Sequence, residues 1–167
     1  MSEYLTEAKL ELYLKNIFPN TNIIRDRIVP NSGIKNRPDF RIDELMLIVE
    51  FDGYGHYTKP KTILTDNMKD TTYQNMGYTV VRIPYFIQWS KELVKSLFGI
   101  DTTIKQTYPH GFIDKKAPLP AEFCSLGLEK FNEDLNKFSF AKNDILISLK
   151  NKIDSGLDYL LVYPLNF

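Results

Sequence analysis

The chain is poor in several things. It has a single cysteine, Cys124, among 167 residues, so no intramolecular disulfide can form. That fits a reducing compartment, and the cytoplasm is the expected location. It has no long hydrophobic run. The longest purely apolar stretch, residues 45–49, falls far short of the roughly 20 residues that span a bilayer. The opening Met1-Ser2-Glu3 is acidic and does not read as a signal peptide, so no membrane association is expected. There is also no net charge, because 21 lysines and arginines balance 21 acids. This excludes a strongly basic protein that coats nucleic acid through bulk charge, so any nucleic acid must be met by a local basic patch. Hydrophobic residues make up 43% and charged residues 25%, values that exclude a disordered chain. The length suits one domain with a real core.

Hydrophobic periodicity predicts an amphipathic helix over residues 3–17, carried by Leu5, Leu10, Leu14 and Ile17, with Thr6 able to cap a shortened start. Strands are expected at 23–29, 37–42, 45–52 and 78–85, and helices at 60–75 and 89–98. The order α-β-β-β-α-β, followed by a further helix, predicts an α/β core over residues 1–100, a mixed sheet flanked by helices. Residues 108–120 read as a loop, 122–138 and 141–152 as helices, and 159–163 as a short last strand. Residues 101–167 are expected to be a helical elaboration packed on the core and not an independent domain.

The informative stretch is Arg37-Pro38-Asp39-Phe40, followed by Glu50-Phe51-Asp52-Gly53 and His56. If the two strands pair as a hairpin with a two- or four-residue loop, Asp39 shares a face with Glu50, and Asp52 follows two residues later on that face. A three-residue loop would reverse the parity. Three convergent carboxylates beside so apolar a strand repel one another. At least one must be protonated unless a cation is present. The matching cation is hard and oxygen-loving, Mg2+ or Mn2+, and such a site can hydrolyse a phosphodiester.

This arrangement resembles the PD-(D/E)XK nucleases, and within them the very-short-patch-repair endonuclease branch. The resemblance runs through Glu7, Pro38-Asp39-Phe40, Glu50 to Gly53, His56, Asp66, Lys69-Asp70, Gly77-Tyr78 and Val80-Val81-Arg82, about residues 5–86. It implies a restriction endonuclease-like core and a Mg2+-dependent DNA endonuclease, with Mn2+ able to substitute. Asp39 and Glu50 become metal ligands, with the Phe51 carbonyl a possible third. Glu7 falls where a helix acid contacts a metal-bound water, and His56 becomes a candidate general acid. The sequence departs from the pattern where the family has a lysine two residues after the Glu. Asp52 stands there, able to bind metal or orient water, and Lys69 is a candidate migrated lysine.

Basic residues flank this constellation. Arg37, Lys59, Lys61, Lys69 and Arg82 are the candidate nucleic-acid contacts, within a region where Arg25, Arg27, Lys35 and Arg41 add further charge. DNA is the expected partner. Cutting both strands would require a homodimer, a partner subunit or two binding events. Two other readings stand beside the endonuclease: a nuclease fold that has lost catalysis and binds or regulates, and an unrelated metal phosphoesterase acting on small molecules.

Overall fold

The computed structural model describes residues 4–154. The predicted strand at 159–163, and the start of the first helix at residue 3, lie outside the described residues. Helix α1 (Glu7–Ile17) begins where Thr6 caps it, the Thr6 hydroxyl accepting from the Lys9 N–H at 3.3 Å. It buries Leu10 and Leu14.

A four-stranded mixed sheet follows, in the order β1-β2-β3-β4. β1 (Ile24–Arg25) is much shorter than expected. Asp26 adopts a left-handed backbone (φ 48°), which turns the chain out of the ladder, and its N–H is spent on the Asp39 carbonyl at 3.1 Å. β2 (Phe40–Ile42) starts after Pro38, which has no N–H to give. β2 and β3 (Leu47–Asp52) pair antiparallel, Phe40 opposite Val49 and Ile42 opposite Leu47. The loop is therefore the four residues 43–46, a single 3-10 turn closed by Met46 in the left-handed region. That even loop gives the parity expected for Asp39 and Glu50.

The short helix α2 (Gly55–Thr58) and the long α3 (Pro60–Asn75) carry the chain across to β4 (Thr79–Pro84), which runs parallel to β3. Pro60 opens α3, and Gly77 (φ 94°) turns the chain after it. Helices α4 (Lys91–Phe98), α5 (Ser125–Lys137) and α6 (Lys142–Asp154) complete the described chain.

The strand pleat sorts β3 between two environments. Leu47 and Val49 join the main core, whose buried residues come from α1, the sheet and also α5 and α6, Phe131 and Ile145 among them. Ile48 faces the other way, into a small cluster with Val29 and the α3 residue Tyr73. Glu50 and Asp52 share that second face by the same alternation. Helix α5 reaches the strand end through a backbone contact with α2. A Cβ added at Gly127 would lie 1.7 Å from the Tyr57 carbonyl oxygen. That oxygen accepts from the Cys124 N–H at 3.1 Å. Only glycine allows this approach, and it brings Lys130 one turn later to the end of β3. Among the described residues no helix is long and apolar enough to cross a membrane.

Candidate active site

The hairpin lays Asp39 and Glu50 side by side, and their backbones hold them crosswise. The Asp39 N–H donates to Glu50 Oε2 at 3.1 Å, and the Phe51 N–H donates to Asp39 Oδ2 at 2.7 Å. Glu50 is buried and Asp39 partly so. Burial, with the Glu50 charge next, pushes the Asp39 carboxyl up to about 7, against the pull of the Phe51 N–H. At neutral pH this carboxyl is divided between its two protonation states.

One cation is at hand. Lys69, buried on α3, places Nζ 2.7 Å from Glu50 Oε1. This corrects the expectation that Lys69 meets nucleic acid from the surface; its ammonium belongs to the carboxylate site. Glu7 stands exposed in the first turn of α1 and is ion-paired to Arg25 at 3.1 Å. Its charge is close enough to add to the upward push on Asp39.

Asp52 shares the face but not the environment. It is fully buried. Arg82 lies 2.7 Å from its Oδ1 and Lys130 2.9 Å from its Oδ2. Burial pushes its carboxyl up, but Lys130, Arg82 and His56 together outweigh that and hold it below the ordinary value. The structure thus corrects the expected convergence of three carboxylates: two stand together, and the third is neutralised by side chains. Arg82 is corrected in the same way as a nucleic-acid contact. Its guanidinium is turned inward, with both oxygens of Asp70 at 2.7 Å, Asp52 at 2.7 Å and Asp66 at 3.3 Å.

His56 Nδ1 lies 2.5 Å from Asp66 Oδ2 and 3.5 Å from Asp52 Oδ1. Burial alone would lower its pKa, but the Asp66 hydrogen bond and the two carboxylate charges raise it. Ligand atoms of Asp52, His56 and Asp66 all fall within 4.8 Å of one another. A metal there would compete with Arg82 and Lys130, which already contact the same carboxylates. At Asp39 and Glu50 a cation would meet one such competitor, Lys69 on Glu50.

The remaining basic candidates are on the surface. Lys59 and Lys61 are exposed at the start of α3. Arg37 is exposed and loosely paired to Asp26 at 3.3 Å. In the same region Arg27 and Lys35 are exposed, whereas Arg41 is buried against Asp43 and the Ile28 carbonyl.

Lys130 and Asp134 went unforeseen. Asp134 accepts from the Tyr57 hydroxyl at 2.6 Å and pairs with Lys130 at 3.3 Å, so α5 is tied to α2 through Asp134 and to β3 through Lys130. A signal was present in the sequence. Asp134 falls between Phe131 and Leu135 on the apolar side of a helix, where an acid needs a buried partner.

Comparison with family models, with curated proteins and with solved structures returns no match for this chain.

Proposed function

We propose that this chain is a metal-dependent endonuclease that hydrolyses phosphodiester bonds in DNA, built on a restriction endonuclease-like core. The observation that carries the reading is the Asp39–Glu50 pair, locked crosswise by backbone N–H groups and short of positive charge, with Lys69 on Glu50. Asp39 and Glu50, with the Phe51 carbonyl, would hold Mg2+ or Mn2+. When bound, such an ion supplies Lewis acidity and a hydroxide nucleophile at neutral pH.

The chain's own groups do the rest. Lys69 is the candidate for the lysine missing after Glu50, able to hold the attacking water and screen the phosphate. Glu7, in the first turn of α1, is near enough for its charge to act on Asp39 and can accept a proton from a water. Lys59, Lys61 and Arg37 can meet backbone phosphates to either side. The alternative, an inactive nuclease fold that binds DNA, drew its support from the acid at position 52. The Lys69–Glu50 pair weakens that argument.

The test is incubation of supercoiled plasmid, and of mixed genomic DNA, with the protein and Mg2+ or Mn2+, alongside Asp39→Ala and Glu50→Ala. Nicking or linearisation by the wild type alone is expected. DNA bound but left intact under every metal and sequence context would favour the inactive reading.

A further inference from the structure

We propose that a recess beside the candidate active site receives a single unpaired nucleobase from the strand being cut. This rests on the nuclease reading and names its substrate class: DNA with an extruded, bulged or single-stranded nucleotide next to the reacting phosphate.

The recess has a volume of about 290 Å3. That is just below the usual range for small-molecule sites, about 300 to 1,000 Å3, and has room for one heteroaromatic ring system. It adjoins the carboxylate site along the chain. Phe51, whose N–H holds Asp39, lines it, and so does Thr6, the residue before Glu7.

Its walls suit a base. The rings of Tyr54 and Tyr85 meet edge to face at 4.8 Å and form an aromatic corner. Both rings are held before anything binds. The Tyr54 hydroxyl donates to Asp114, and the Tyr85 hydroxyl donates to the Pro118 carbonyl at 2.5 Å. A base stacking there orders little that is not already ordered.

Charge decides which part of a nucleotide enters. Asp114 lines the recess, and the Tyr54 hydroxyl and the Lys116 N–H hold its carboxyl below the usual range. An ionised carboxylate turns a phosphate away and accepts from an N–H. Every DNA base carries an N–H on its Watson–Crick edge, and that edge is free only when the base is unpaired. The phosphate is left to the lysines and the carboxylate site, and the base goes to the recess.

Gly53 gives a clean probe. It lines the recess, and a Cβ added there meets no atom within 4 Å. Gly53→Phe should fill the recess and leave the fold intact. The assay uses duplexes with 2-aminopurine either in a one-nucleotide bulge or fully paired, titrated with wild-type protein in Ca2+ so that binding is read apart from cleavage. The expected result is bulged DNA bound about tenfold more tightly than paired DNA, with 2-aminopurine fluorescence quenched by the tyrosines. Gly53→Phe should lose both the preference and the quenching while its thermal unfolding stays unchanged. Tyr54→Leu serves as the second variant, should Gly53→Phe disturb folding, and should lose the quenching.

Equal affinity for bulged and paired DNA, or a preference that survives in both variants, overturns the inference and leaves the nuclease reading standing. Preference and quenching without cleavage in Mg2+ or Mn2+ would uphold the recess and overturn hydrolysis. Failure to bind any of these DNAs overturns both.

Discussion

Asp39→Asn should make this protein more stable, and only above a particular pH. The Asp39 carboxyl is pushed up to about 7 in the fold, by burial first and then by Glu50; in an unfolded chain it ionises near 3.9, about the ordinary value. Below about pH 4 both states hold the proton, and Asp39 has no effect on the balance. From there to about 7 the unfolded chain releases its proton while the folded chain keeps it, so stability falls as pH rises. Each pH unit between the two values is worth about 1.4 kcal/mol, so the deficit approaches an upper bound of about 4 kcal/mol above pH 7. Asparagine is nearly isosteric, keeps an oxygen for the Phe51 N–H and never ionises.

Urea unfolding of the two proteins at pH 4, 5, 6, 7 and 8 measures this directly. The difference between them reports position 39 together with its coupling to Glu50, the other titrating groups being shared. Near-equal stability is expected at pH 4, with a gap opening to roughly 2–4 kcal/mol by pH 8, or about 5–12 °C in Tm. Mg2+ should close the gap at pH 8 by stabilising the wild type alone, since an ion that binds only the folded state raises its stability. A variant that is less stable at pH 8, or a gap that does not change with pH, would show that Asp39 is an ordinary ionised carboxylate and remove the basis for a metal there.

Other expectations concern the polar groups behind the site. Lys130→Met leaves the fully buried Asp52 with one partner fewer and should cost about 3–5 kcal/mol. A loss below about 1 kcal/mol in chemical denaturation would mean that α5 does not hold the strand in this way. The two histidines should titrate on opposite sides of the ordinary value, as resolved by NMR of the ring nitrogens. His56 is raised, so its stabilisation is complete below the unfolded-state pKa and is lost as pH rises through the folded value. His110 is lowered by burial, and its Nδ1 accepts from the Gln88 N–H at 3.0 Å, so stability falls as pH drops below the unfolded-state value of about 6.5. Titration of both at the same ordinary pH would contradict these environments. Gly127→Ala should lower stability by about 3 kcal/mol or more, because its Cβ would meet the Tyr57 carbonyl oxygen at 1.7 Å, whereas Gly53→Ala should stay within about 0.5 kcal/mol. Thermal melts that rank the two substitutions the other way would contradict the α2–α5 contact.

The sequence carried the local half of this structure. Periodicity placed α3 and β4 well, because α3 is bracketed by Pro60 and Gly77 and β4 is closed by Pro84. The face shared by Asp39 and Glu50 followed from a parity argument that needed only a loop of even length. β1 is shorter than the pattern predicts because Asp26, a residue type that tolerates the left-handed backbone, interrupts the β-branched stretch. Asp52 and Arg82 were misjudged for a different reason. Strand alternation tells which face a side chain joins, but not what comes to meet it there. One partner of Asp52, Lys130, lies 78 positions later, on a helix whose docking depends on one glycine against one carbonyl. Arg82 pairs with Glu50 in the parallel register, yet its guanidinium turns to the acids of α3, a choice set by helix packing.

Two acids separated by one residue on β3 therefore have different surroundings, and the contrast argues for a function better than either acid does alone. Asp52 receives Arg82 and Lys130, and its carboxyl is held low. Glu50 shares Lys69 with an Asp39 that is held high. A fold selected for stability alone would have no reason to supply two cations at position 52 and leave the pair at 39 and 50 in deficit. The deficit is a cost borne by the folded chain above about pH 7, and on the reading proposed above a divalent cation would remove it. The zero net charge of the chain has a local meaning on this view. Positive side chains are spent internally on Asp52, Asp66 and Asp70, whereas the Asp39–Glu50 pair has Lys69 alone.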